Sequence, residues 1–225
     1  MAIILVPGFM LDADLWSDIV GDLEPFGPVI HAEPIGAASI EEIAERVLDK
    51  APEAFVVIGF SMGGYVAREI QRRAPQKVSK LVLIATSARG DSNLQSQRKA
   101  AIADAAPAAF RGLSRQSIRR SLAHAREGDT ALVERIHAMS MRLGGETFRN
   151  QALFRRDGDL EKLPTIDCPT LIIAGSKDRL RSLEEASEMR SAIPNAQMKV
   201  VDAGHMIPME APAELSLLLH AFLSR

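Results

Sequence analysis

The chain has 225 residues, enough for one domain or for one domain with an inserted subdomain. Apolar residues make up 47% of it and charged residues 25%, so a buried core is expected and disorder is not. A formal net charge of −2 gives no reason to expect nucleic acid or a membrane surface as a partner, and a single cysteine, Cys168, excludes an internal disulfide framework and disfavours a thiolate metal site.

The opening Met-Ala-Ile-Ile-Leu-Val-Pro-Gly is apolar for only about six residues and lacks a basic leader. No later run approaches the roughly 18 apolar residues of a membrane helix. A cytoplasmic location is expected, in keeping with a lone thiol. Apolar runs that suit strands follow at Ile3–Val6, Pro28–His31, Phe55–Ile58, Leu81–Ala85, Thr170–Ala174 and Met198–Val201. Helical patterns lie between them at Ile40–Lys50, Met62–Ala74, Leu183–Ile193 and Pro212–Leu223. Strands apolar on both faces, alternating with helices, predict a mostly parallel sheet of about six strands with helices on both sides. Ser39 with Glu42 reads as a capping box, and Pro75 and Pro194 fall where helices should stop.

From about Ala88 to Asp157 no strand-like run occurs, only helical patterns punctuated by Pro107, Gly112, Gly128 and Gly144-Gly145. The simplest organisation is a core of residues 1–87 and 158–225, with a helical cap at 88–157 inserted after the strand at 81–85.

Phe55–Ile58 leads straight into Gly59-Phe60-Ser61-Met62-Gly63, and a helical pattern begins there. Gly-x-Ser-x-Gly at a strand-to-helix junction is the nucleophile elbow: the serine sits on a tight turn that lifts its hydroxyl above the sheet. A bland reading, a Gly-rich turn that merely packs, competes with it until partners are found. A nucleophilic serine needs a base, and the base needs an orienting carboxylate, here in the order Ser, acid, His at the ends of later strands. Asp178 follows Thr170–Ala174, and His205 follows Met198–Val201. Alone, Asp178 would read as a turn former and His205 as a solvated or core residue; together, in the right loops and order, they complete a triad. Asp91 is the rival acid, Asp202 suits a turn, Glu210 suits a support for the last helix, and His31, His124, His137 and His220 lie away from the catalytic loops. The oxyanion donors should be the backbone N–H of Met62 and, from Pro7-Gly8-Phe9-Met10 after the first strand, the N–H of Phe9. With a histidine base, activity should rise as the imidazole loses its proton.

These pieces together resemble the α/β-hydrolase superfamily along nearly the whole chain. The resemblance rests on the Pro7-to-Trp16 segment, the elbow, Cys168-Pro169-Thr170 through Gly175 leading to Asp178, and Gly204-His205. It is similar to the small bacterial branch of aryl esterases, cofactor-free haloperoxidases, carbon–carbon bond hydrolases and thioester-acting enzymes. That resemblance implies a three-layer α/β fold, a cap over the active site, no cofactor and no metal. Where the family begins this loop with His-Gly, this chain has Pro7-Gly8. It also starts at the family's third strand, which leaves a short sheet edge open to pairing with a second copy as a homodimer. Dehalogenases and epoxide hydrolases of the fold use aspartate where Ser61 stands, so those activities are disfavoured.

The expected activity is hydrolysis of a small carboxylic ester or related acyl substrate through an acyl-enzyme. The alternatives are carbon–carbon or thioester cleavage by the same triad, and a ligand receptor that turns nothing over. Met10, Met139, Met141 and Met206 are the candidate lining of an apolar acyl pocket, although Met206 equally suits core filling and the cap residues Met139 and Met141 suit it better. The cap segment carries 13 Arg or Lys against 7 Asp or Glu. Arg111, Arg115, Arg119 and Arg126 therefore read either as an attractor for an anionic substrate or, more simply, as a solvated helix face.

Overall fold

Six apolar runs form six strands, and every adjacent pair is parallel. The computed structural model describes residues 1–105 and 110–225, apart from the side chains of Arg98, Ile102, Asp104 and Ala105; the proposed break at Pro107 lies outside the described residues. The strands are β1 (Ala2–Val6), β2 (Val29–His31), β3 (Phe55–Phe60), β4 (Val78–Ile84), β5 (Thr170–Gly175) and β6 (Ala196–Val201), in the order β2-β1-β3-β4-β5-β6 across an open sheet. Helices are α1 (Val20–Leu23), α2 (Ile40–Lys50), α3 (Met62–Arg73), α4 (Asn93–Ala105), α5 (Arg115–Ser121), α6 (Thr130–Leu153), α7 (Leu183–Ala192), α8 (Ile207–Glu210) and α9 (Pro212–Leu223).

Because side chains alternate along a strand, each central strand feeds two cores. Ile3, Leu5, Val56, Ile58, Val82, Ile84, Leu171 and Ile173 pack toward α1, α8 and α9, with Leu23, Ile207, Leu215 and Leu219 opposite. Ile4, Val6, Val57, Leu81, Leu83 and Ile172 pack toward α2, α3 and α7, with Ile43, Val66, Ile70 and Met189 opposite. The two outer strands depart from the two-sided pattern. β2 is only half-buried, and in β6 Lys199 and Val200 are exposed. An edge strand has a neighbour on one side only, so the rule of full burial applies to β1, β3, β4 and β5.

Between β4 and β5 the described elements are helical: α4, α5 and α6, with short 3₁₀ turns. The 24-residue α6 is broken at Gly144, whose φ of 77° no helix accommodates. Two arginines of α6 tie this segment to the chain after β1. Arg135 pairs with Asp14 at 3.0 Å and Asp18 at 2.6 Å, and Arg142 pairs with Asp12 at 2.8 Å and Asp14 at 3.1 Å.

Helix ends refine the sequence reading. Ser39 accepts from the Glu42 N–H at 3.1 Å, but the Glu42 carboxylate takes the N–H of Ala38, one residue before the cap. The reciprocal capping box is instead at Ser182 and Glu185, where both bonds form.

Candidate active site

β3 ends at Phe60 and α3 begins at Met62, so the whole turn is one residue, Ser61. Its φ of 51° and ψ of −113° lie where an L-residue is strained, at a cost of about 1–3 kcal/mol. Three hydrogen bonds hold it there. The Ser61 N–H donates to the Ile84 carbonyl at 2.8 Å, and its own carbonyl accepts from the Gly64 N–H at 3.0 Å and the Thr86 hydroxyl at 2.7 Å. Two glycines make the turn sterically feasible. A Cβ on Gly59 would stand 2.3 Å from the Gly63 carbonyl, and one on Gly63 would stand 2.2 Å from the Val6 carbonyl. The start of α3 can therefore rest directly against the end of β1.

The loops after β5 and β6 bring Asp178 and His205 to this turn. His205 Nε2 lies 2.9 Å from Ser61 Oγ, and its Nδ1 lies 2.8 Å from Asp178 Oδ2. The Asp178 side chain is nearly fully buried, and its other oxygen accepts from the N–H groups of Leu180 at 2.7 Å and Arg181 at 3.0 Å. A carboxylate so held cannot turn away from the imidazole. His205 is itself anchored through its N–H to the Ser121 carbonyl at 2.8 Å, at the end of α5, and its ring lies 5.2 Å from that of Phe60. Glu210 ties the same loop: its carboxylate accepts from Met206 N–H at 3.0 Å and Ala123 N–H at 2.7 Å. It thus joins the His205 loop to the chain after α5, a role its place near the last helix did not disclose.

The rival groups are occupied elsewhere. Asp91 pairs with Lys99, and Asp202 pairs with Lys177 and accepts from Ser176. His137 contacts the Leu113 carbonyl and His124 sits near Glu127.

The N–H of Met62 opens α3, and that of Phe9 lies in the loop after β1. Among the described residues neither donates a hydrogen bond. The next N–H along that loop, Met10, is taken by Gln151 Oε1 at 2.8 Å. Gln151 is fully buried on α6 and Met10 has a φ of 56°, so a residue of the helical segment fixes the bent loop that presents the Phe9 N–H.

Ser61, His205 and Phe9 open onto a cavity of about 1100 Å³, whose apolar walls include Phe110, Leu113, Ile118 and Phe148. Of the four methionines, Met206 lines it. Met10 and Met139 are fully buried, Met10 beside Leu143 and Phe148, Met139 in the core on the α9 side of the sheet. Met141 is exposed. Helical periodicity could place Met139 and Met141 on different faces of α6 but could not say which face meets the cavity. The aromatic walls come instead from Phe110 and Phe148, whose rings stack at 4.9 Å. Arg115, Arg119 and Arg126 are engaged by Glu134, the Glu127 carbonyl and Asp129, so they are bound surface cations. Arg111 alone of that set lines the cavity.

A buried carboxylate–imidazole–hydroxyl chain at the carboxyl ends of parallel strands defines the hydrolase class. Residues 3–216 match the profile described as the alpha/beta hydrolase family. The chain belongs to that family, and it is a carboxylesterase-like hydrolase. It is 27% identical to the pimeloyl-[acyl-carrier protein] methyl ester esterase of Vibrio vulnificus (strain YJ016), over 87% of this chain and 83% of that one. To the protein of the same name from Vibrio campbellii (strain ATCC BAA-1116) it is 26% identical, over 92% of this chain and 87% of that one. Among solved structures it is similar to a thermophilic esterase from Thermogutta terrifontis, with a TM-score of 0.90, 26% identity, and coverage of 100% of this chain and 89% of that one. It shares its fold with the enol-lactonase from Burkholderia xenovorans LB400, with a TM-score of 0.89, 21% identity and coverage of 100% and 91%. Among the described residues, no helix is long and apolar enough to cross a membrane.

Proposed function

We propose that this chain hydrolyses a carboxylic ester through an acyl-enzyme on Ser61. The observation that carries the reading is the chain of contacts Asp178 Oδ2–His205 Nδ1 at 2.8 Å and His205 Nε2–Ser61 Oγ at 2.9 Å. Oγ attacks the ester carbonyl while Nε2 takes its proton. Asp178 keeps the Nδ1 proton in place, which leaves Nε2 free to accept, and it stabilises the imidazolium that forms. The N–H groups of Phe9 and Met62 receive the developing oxyanion, with the positive end of α3 behind it. His205 then returns the proton to the leaving alkoxide. Water activated by the same imidazole attacks the acyl-enzyme, releases the acid and restores Ser61.

Ester cleavage is preferred over thioester or carbon–carbon cleavage because the curated relatives above are named methyl ester esterases. A cavity of about 1100 Å³ has room for an extended acyl chain as well as the scissile group. The substrate is then a small acyl ester. The test is rapid mixing with a p-nitrophenyl ester. An initial burst of nitrophenol equal to the enzyme concentration, absent in Ser61→Ala, is expected; a linear, Ser61-independent release would overturn the proposal.

A further inference from the structure

The cavity is apolar around Ser61, but charged side chains also line it, among them Arg111, Arg120 and the Asp91 carboxylate. Lys99 of α4, Arg156 just after α6 and Arg181 in the loop after β5 all line it. These three converge from separate stretches of chain, over the carboxyl ends of β4 and β5. All three are partly withdrawn from solvent. Among the described residues, Asp91 pairs with Lys99, and Glu185 with Arg181 at a long 3.3 Å. Arg156 forms no ion pair among the described residues, and its Nε is buried without a hydrogen-bond partner.

Three cations gathered on one wall are an unfavourable arrangement by themselves. A buried guanidinium N–H without an acceptor is destabilising, the more so because the group is charged. The cations also work against one another. Burial first, and then the charge of Arg156, holds the Lys99 amine below the usual lysine range despite its bond to Asp91. Burial, and then the opposed influences of Asp91 and Arg181, leaves the Arg156 guanidinium lowered in the same sense. A compact anion in the cavity would offset the excess charge of the three cations. Arginine presents its N–H groups as a planar fork that matches a carboxylate.

We propose that Lys99, Arg156 and Arg181 form a carboxylate subsite, and that the ester hydrolysed at Ser61 carries a free carboxylate at its far end. The inference rests on the serine-hydrolase reading for its reaction and adds the substrate class: half-esters of dicarboxylic acids. The apolar stretch past Phe110 and Phe148 takes the methylene chain, and the three cations take the second carboxylate.

The test separates binding from turnover. Calorimetric titration of Ser61→Ala with monomethyl adipate and with dimethyl adipate should show the half-ester bound about tenfold more tightly or better. That ratio should collapse toward one in the double variants Ser61→Ala/Arg156→Gln and Ser61→Ala/Lys99→Gln, and persist in part in Ser61→Ala/Arg156→Lys. Taking a ratio on each protein cancels any general loss of binding, and a second variant stands by if one misfolds. The unsubstituted enzyme should show the same preference in kcat/KM. Equal affinity for both esters, or a preference indifferent to Arg156 and Lys99, would overturn the subsite even if Ser61 hydrolyses both. A half-ester bound with the predicted preference but never cleaved would uphold the subsite and refute the hydrolytic reading.

Discussion

The backbone N–H of Met10 donates to Gln151 Oε1 at 2.8 Å, joining the loop after β1 to a helix 141 residues further along the chain. Met10 is in the left-handed region, so this bond helps hold a bend next to Phe9, whose own N–H has no acceptor among the described residues. If Phe9 N–H is the oxyanion donor as proposed, Gln151 acts on it as a positioning residue. Gln151→Ala should lower kcat by roughly tenfold to a hundredfold, as expected when a reacting group is misplaced by a fraction of an ångström, with little change in KM. A fall in thermal midpoint with kcat intact would show that the bond serves stability alone.

Asp178→Asn leaves the oxygen that accepts from Leu180 and Arg181 available, so the loop should keep its shape. What changes is the group facing His205 Nδ1, which becomes an N–H donor and forces the wrong tautomer. Ester hydrolysis should fall by about 10⁴-fold, while the melting temperature moves only slightly. Measuring kcat/KM and the thermal midpoint on one preparation checks both halves.

Much of this site is legible in the amino-acid sequence. Gly59 and Gly63 announced the elbow because the crossing of α3 over β1 leaves no room for a Cβ. Asp178 and His205 were legible because β5 and β6 are recognisable strands and catalytic groups in such sheets follow them directly. Gln151 gave no signal: a glutamine in an amphipathic helix looks the same whether it meets solvent or a backbone N–H. Nor could sequence tell Met139 in the core from Met141 on the surface, because the inner face of α6 is set by packing. The exposure of Lys199 and Val200 is not legible for a related reason, since a strand-like run does not reveal that it lies at the edge of a sheet.

The ion pairs between α6 and the loop after β1 should respond to acid. Partial burial alone would raise the Asp14 carboxyl, but hydrogen bonds from Ser17, Arg135 and Arg142 outweigh it and hold the group below 3.8. Its charged form is favoured by folding, so the stabilisation is complete above the ordinary aspartate range and is lost as pH falls below it. Amide exchange in α6 should therefore accelerate below about pH 4, and Arg142→Ala should bring faster exchange already at neutral pH. Exchange in α6 that matches the parent protein at both pH values would show that the pairs do not fasten the helix.

Burial pushes the Cys168 thiol up to about 11, so almost no thiolate exists near neutral pH. The native protein should resist iodoacetamide at pH 7.5 and take up one equivalent after unfolding in urea. Rapid labelling of the folded chain would contradict the buried position of this residue.

The central claim is that His205 makes Ser61 a nucleophile, and a fluorophosphonate tests it without knowledge of the substrate. Mass mapping should find one equivalent of label, on Ser61, with none on Ser61→Ala and labelling of His205→Ala slowed by several orders of magnitude. A folded protein that stays unlabelled, or one labelled equally fast without His205, would contradict the account.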